Sequence, residues 1–312
     1  MPRLWRGILY IFANFLYDKA MQNLLTQQSK NIRRTWVLIA VFCIVIIGIG
    51  ELFSEQYGNP SILYGFIAFS LVMNITSYWF ADKIALRSAR AVPADPAHYS
   101  SLIAAVARVA TTVGVQAPRV YIIEDEAPNA FATGRNEAHA AIAVTTGLLA
   151  ILTPQELDGV LAHELSHIKN KDILIGTVAV VLAGFIAIFA NVFLRMQFFG
   201  RNNDRGGNGL AAVLGIIAAI ITPIAASLIQ LAISRKREFL ADASGALSTH
   251  HPENLASALQ KIAVHNAPLA HVSSATAHLF IVNPFGKGSA SLRTLFATHP
   301  PIEERIKILL EK

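Results

Sequence analysis

Four long stretches of this chain contain almost no Asp, Glu, Lys or Arg, and each is long enough to cross a lipid bilayer. The first runs from Thr35 to Gly50 (TWVLIAVFCIVIIGIG) and continues through Glu51 to Phe53. The second occupies about 61–81, with Tyr78 and Trp79 at its end. The third covers 173–194 (ILIGTVAVVLAGFIAIFANVFL) and the fourth 210–233, centred on LAAVLGIIAAIITPIAASLIQLAI. A hydrocarbon core takes about 20 apolar residues in helical form. A helix that is apolar on every side has no face to offer water, so these segments are expected to be membrane spans. Composition agrees: 15% of residues are charged, against about a quarter in ordinary soluble domains. A water-soluble enzyme and a disordered chain are both excluded. The single cysteine, Cys43, lies within the first span and has no partner for an intrachain disulfide.

Basic residues give the spans a direction. Arg33 and Arg34 precede the first, Lys83, Arg87 and Arg90 follow the second, Lys169 and Lys171 precede the third, and Arg235, Lys236 and Arg237 follow the fourth. All share one side if every span crosses. The loop joining spans one and two carries Glu51 and Glu55 and no basic residue. Arg195, Arg201 and Arg205 in the loop between spans three and four fit less well, leaving a shallow hairpin as the alternative. Leu4 to Tyr17 reads as an interfacial amphipathic helix, since no small-x-small cleavage site follows it.

Between the membrane segments the composition turns soluble. The expected organisation is an N-terminal amphipathic segment (1–34), a membrane hairpin (35–81), the first half of a water-facing domain (82–172), a second hairpin (173–234) and the second half of that domain (235–312). Tyr99–Val115 has helical spacing. PRVYIIED from Pro118 and AHAAIAVTT from Ala138 read as strands, with Pro128–Gly134 (PNAFATG) as the turn region joining them. Thr153-Pro154-Gln155-Glu156 supplies an N-cap, a first-turn proline and a capping-box glutamate, so a helix begins at Pro154.

That helix carries the chemistry. His163 and His167 in LAHELSHIKNKD are four apart and share one helical face, so two imidazoles can converge on one ion. Glu164 projects beside that face, the general-base position of H-E-x-x-H. A catalytic zinc takes three protein ligands and keeps a fourth position open. The candidate third ligand is Glu238 in SRKREFLADASGA, which directly follows span four as the histidines directly precede span three. Asp242, four residues on, shares the face of Glu238 and can fix a ligand histidine from outside.

HELSHIKNKD, SRKREFLADA, PNAFATGR and LFATHPPIEERI together resemble the HtpX-type membrane zinc metalloproteases of the M48 family, relatives of the Ste24 CAAX proteases. The resemblance implies an α+β, mostly helical fold: an integral membrane zincin-type metalloprotease domain with about four transmembrane helices. It implies one Zn2+ per subunit held by His163, His167 and Glu238, with Glu164 as catalytic base and Asp242 behind a ligand. His299 and Arg305 match positions expected to face the substrate carbonyl and stabilise the oxyanion.

For substrate binding, the expected element is an edge strand within His139–Thr146, with Ala141 and Ala143 suited either to close approach of a peptide or to tight packing beneath a helix, and Asn129 either bonding the substrate backbone or forming a turn. The expected partners are unfolded or misfolded membrane proteins and the lipid bilayer. The expected place is a bacterial inner (plasma) membrane, multi-pass, with the catalytic domain cytoplasmic. A non-proteolytic scaffold or transporter is the alternative, against which the absence of ionisable residues inside the long spans counts. Nucleic acid is not expected, because Lys and Arg cluster at span ends.

Overall fold

The structure, a computed structural model, describes residues 3–179, 181–182, 185, 235–265, 267–270, 279–282 and 300–311. Its longest element, α1 (Arg3–Tyr57), is one helix of 55 residues. The expected boundary near residue 34 leaves no mark on the backbone, because no proline interrupts the run and the N-terminal segment joins the first span in the same helix. Gly58, at φ 61°, ends it. Asn59 accepts a hydrogen bond from the Ser61 amide, and α2 (Ser61–Ser88) returns alongside α1. From Trp36 to Tyr57 an α-helix rises about 30 Å, one hydrocarbon thickness.

The hairpin buries one side of each helix and leaves the other apolar side bare. Leu38, Phe42, Ile46 and Ile49 pack inside, while Ile44 is 70% exposed and Tyr64, Val72 and Ile75 are also open. Such patches are unsuited to water. The start of the third expected span is helical at 172–179, and Leu174, Ile175, Val178 and Ala179 close the α1 core. The rest of that span lies almost wholly outside the described residues, and the fourth lies entirely outside them.

Beyond the hairpin stands an α+β body. Strands β1 (Val92–Pro93), β2 (Arg119–Ile123), β3 (Ala130–Thr133) and β4 (Ala141–Thr145) form one sheet in the order β1-β2-β4-β3. β2 and β4 are parallel, whereas β3 and β4 are antiparallel. This corrects two expectations. The PNAFATG segment is not merely a turn: Ala130–Thr133 is a strand, fixed by Phe131 packing edge-to-face on Phe280 at 5.1 Å. The reversal comes later, at Gly134 (φ 140°) and a short 3-10 turn capped by Asn136. In consequence β4 is interior, and β3 is the outermost strand among the described residues, its Ala130 carbonyl bonded by the Ile281 amide.

Helices α3 (Pro96–Val113) and α4 (Thr146–Ile151) flank the sheet. Helix α5 (Pro154–Lys169) starts at the expected capping box, with the Thr153 side chain on the Glu156 amide and the Glu156 carboxylate on the Thr153 amide. Helices α6 (Arg235–Thr249), α7 (Pro252–Val264) and α8 (Ile302–Leu310) complete the described body. Glycines let the helices touch α5. A Cβ on Gly245 would come 3.0 Å from the His163 amide nitrogen, and one on Gly159 2.7 Å from that of Leu255. Val160, Leu161, Leu165 and Ile168 of α5 then pack with Leu255, Leu259 and Ile262 of α7 in the principal core.

Candidate metal centre

Close packing of α6 on α5 decides what meets at the centre. His163 and His167 lie on one face of α5, with Nε2 atoms 3.2 Å apart and rings at 89°. Glu238, in the first turn of α6, places Oε2 3.7 Å from His163 Nε2 and Oε1 3.7 Å from His167 Nε2. The three ligand atoms lie within 4.8 Å of one another. Bonds of about 2.0–2.2 Å in tetrahedral geometry put ligand atoms about 3.3–3.6 Å apart, so the spacing suits one small divalent ion.

The outer ring nitrogens strengthen that fit. His163 Nδ1 is 2.8 Å from an Asp242 oxygen, and His167 Nδ1 is 3.1 Å from an Asp172 oxygen. Each carboxylate favours a proton on Nδ1, which leaves both neutral Nε2 atoms with lone pairs aimed at the same small volume. Two lone pairs 3.2 Å apart repel unless a cation or a proton lies between them. Charge points the same way: Glu164, Glu238, Asp172 and Asp242 face two buried guanidiniums, Arg237 and Arg305, an excess of two negative charges. For His167 burial opposes protonation, but the Asp172 hydrogen bond and the charges of Glu238, Asp172 and Glu164 outweigh it and push its pKa up to about 9. A cation taking this place displaces that proton.

Glu164 is 1% exposed, and its Oε1 has no hydrogen-bond partner among the described residues. A buried carboxylate oxygen left without a donor beside a ligand cluster is poised to accept a proton from a guest.

Arg305 occupies a different place from the one expected. Its side chain is 0% exposed. Nε donates to Asp242 Oδ2 at 2.8 Å, one terminal nitrogen to Asp242 Oδ1 at 2.6 Å and the other to the Ile281 carbonyl at 3.3 Å. Enclosed in this way it faces Asp242 and His163, and a substrate carbonyl has no path to it. Burial alone would raise the Asp242 pKa, yet Arg305 and His163 hold it well below the usual carboxylate range.

The expected substrate contacts also move. Asn129 is buried, with its amide donating to the Val282 carbonyl and its oxygen accepting from Ala130 and Val282 amides. It ties β3 to residues 279–282. Ala141 and Ala143 are fully buried in interior β4, paired to β2 on one side and β3 on the other, so neither can meet an added strand. His299 lies outside the described residues.

Sequence reasoning missed Asp172. The acidic residue closes HELSHIKNKD, but it lies beyond the end of α5, and only the turn at Asn170-Lys171 returns it to His167.

Comparison with known proteins matches residues 96–312 to the model described as Peptidase family M48. A protease HtpX homolog of Caldanaerobacter subterraneus subsp. tengcongensis is 47% identical over 290 residues, 90% of this chain and 95% of the relative. The homologs of Syntrophobacter fumaroxidans and Thermococcus kodakarensis are each 48% identical, covering 88% of this chain and 97% and 94% of their own lengths. Among solved structures, S. mikatae Ste24p overlays with a TM-score of 0.45 at 15% identity, over 91% of this chain and 66% of that one.

Proposed function

The chain belongs to peptidase family M48, beside the protease HtpX homologs, and from that premise we propose a membrane-bound zinc endopeptidase. It cuts unfolded or misfolded membrane proteins at the cytoplasmic face of a bacterial inner membrane. One observation carries the reading: His163, His167 and Glu238 bring three ligand atoms within 4.8 Å, next to the buried Glu164 oxygen that lacks a donor among the described residues.

His163, His167 and Glu238 would hold the ion, which when bound supplies Lewis acidity toward the scissile carbonyl and makes water easier to deprotonate. Asp242 and Asp172 hold the two imidazoles by Nδ1, so that each presents Nε2. Arg305 keeps Asp242 ionised and aimed. Glu164 takes the proton of the attacking water and returns it to the leaving amine. His299 is the proposed donor to the oxyanion, on the family resemblance alone. For the peptide itself the proposed partner is the outer side of β3. Antiparallel alternation turns the N–H and C=O of Ala132 away from β4, while the Ala130 carbonyl beside them is already bonded by the Ile281 amide, and an extended segment would add by main-chain bonding at Ala132. Such bonding requires an unfolded stretch and tolerates many sequences.

Placement at the membrane rests on the hairpin. Trp36 stacks on Tyr78 at 6.4 Å, and Trp36 and Trp79 are both largely exposed, an aromatic girdle at one end of the two helices. Arg33, Arg34, Lys83 and Arg87 lie just past it, at the basic, cytoplasmic end. The centre lies on that side too, because Gln28 of α1 bonds the Lys169 carbonyl at the end of α5. Four crossing spans, with 82–172 and 235–312 as two halves of the catalytic body, complete the proposed architecture.

The test is Glu164→Gln in detergent-purified protein. It is expected to abolish cleavage of an unfolded membrane substrate while zinc content stays at one per chain. Undiminished turnover overturns the assignment.

A further inference from the structure

The N-terminal part of α1 reaches the candidate metal centre. Asn31, 1% exposed, donates from Nδ2 to Asp172 Oδ1 at 2.5 Å and to the Asn170 carbonyl at 3.0 Å. Asp172 contacts His167 Nδ1 through its other oxygen. A chain of three side chains therefore runs from the helix entering the membrane to a ligand imidazole.

The turn it grips is strained. Lys171, between Asn170 and Asp172, sits at φ 57°, in the left-handed region that a lysine enters at an energetic cost and that persists when its surroundings enforce it. Two enforcing contacts come from α1: Asn31 on the Asn170 carbonyl, and Gln28 on the Lys169 carbonyl at 2.7 Å. Asn31 Oδ1 is buried with no hydrogen-bond partner among the described residues. A leucine would fill such a helix face without that penalty, so packing alone does not account for the amide.

We propose that Asn31 is a positioning residue for the metal centre, holding the Asp172 carboxylate against His167 Nδ1 and so coupling the N-terminal helix to retention of the ion. This rests on the zinc-site reading above. The segment before the first span thereby becomes part of the metal centre: with α1 displaced, Asp172 loses the Asn31 donor that fixes its orientation and the His167 ring is anchored less firmly.

The experiment measures zinc affinity of the detergent-purified full-length chain by competition with a fluorescent chelator, together with thermal unfolding of the zinc-free protein. Asp172→Asn is expected to weaken zinc binding about 10–100-fold, as removal of an outer partner does. Asn31→Leu, which keeps the γ-branched shape without the donor, is expected to weaken it about three- to tenfold, the net effect of one ordinary intramolecular hydrogen bond. In the Asp172→Asn background the same Asn31 change should have less than about a twofold effect, because the residues act in series. Should Asn31→Leu fail to accumulate, Asn31→Asp keeps the shape, replaces the donor with a repelling carboxylate and should weaken zinc at least as much. The proposal is overturned if Asn31 variants lower the unfolding temperature but leave zinc affinity unchanged, or if the two losses simply add. Wild-type protein that binds no zinc overturns the zinc-site reading itself, and this proposal with it.

Discussion

Replacing Arg305 with methionine separates two roles for that residue. The structure encloses its guanidinium and engages it with both oxygens of Asp242, itself 2% exposed. Removing one partner of a buried ion pair costs about 3–5 kcal/mol, because the remaining charge stays buried and uncompensated. Without Arg305, burial pushes the Asp242 pKa up against the His163 contact alone, and a protonated Asp242 no longer anchors the ring. Zinc affinity should then fall about 10–100-fold. An oxyanion donor behaves differently: its loss raises the barrier by about 3 kcal/mol and leaves metal retention intact. The assay is chelator competition and thermal unfolding, followed by turnover at saturating zinc. Adding Asp242→Leu to Arg305→Met should restore much of the lost stability, since an apolar pair replaces a buried ionic one at little cost, while zinc affinity stays low. Unchanged affinity and unfolding temperature, with turnover alone reduced, would refute the enclosed-anchor reasoning.

Gly245→Ala should destabilise by about 1–3 kcal/mol and weaken zinc binding, because the new methyl meets the backbone of His163 and Ala162 and pushes away the helix that carries Glu238 and Asp242. Gly48→Ala, where nothing among the described residues lies within 4 Å, is the control and should be neutral or stabilising. The pH dependence of unfolding should report Glu156. Burial works against its ionised form, but hydrogen bonds from Lys261, Ser257 and Thr153 lower its pKa from 4.5 to about 2. A depressed carboxylate stabilises fully above its unfolded pKa and loses that contribution as pH falls toward the folded one. Glu156→Gln should thus cost about 2–3 kcal/mol above about pH 5 and almost nothing near the folded pKa of about 2. An equal difference at both pH values would count against the ion pair.

The metal-ligand cluster was legible because its signals are local. Histidines four apart must share a helical face, and Thr153-Pro154-Gln155-Glu156 marks where that helix starts. Glu238 could be named for its place just after a span, although its 3.7 Å approach to each imidazole depends on Gly245, which no spacing rule singles out. The sheet was read less well. Ala130–Thr133 lies in a segment rich in turn formers, and its strand conformation is set by β4 and by Phe280, both outside the segment itself. That pairing turned β4 from an expected edge into an interior strand, and took Ala141 and Ala143 away from substrate. Arg305 was read from a motif, which gives residue type but not direction, and Asp242 decides where its guanidinium points. Asp172 and Asn31 depend on a left-handed lysine and on the register between α1 and α5, neither of which periodicity encodes.

X-ray absorption at the zinc edge of the purified full-length chain tests the account most directly. One zinc per chain, with two imidazole nitrogens and a carboxylate oxygen in its coordination shell and the oxygen lost in Glu238→Ala, is the predicted result. A shell that keeps the same ligands in Glu238→Ala, or that lacks two imidazoles in the wild type, would contradict it.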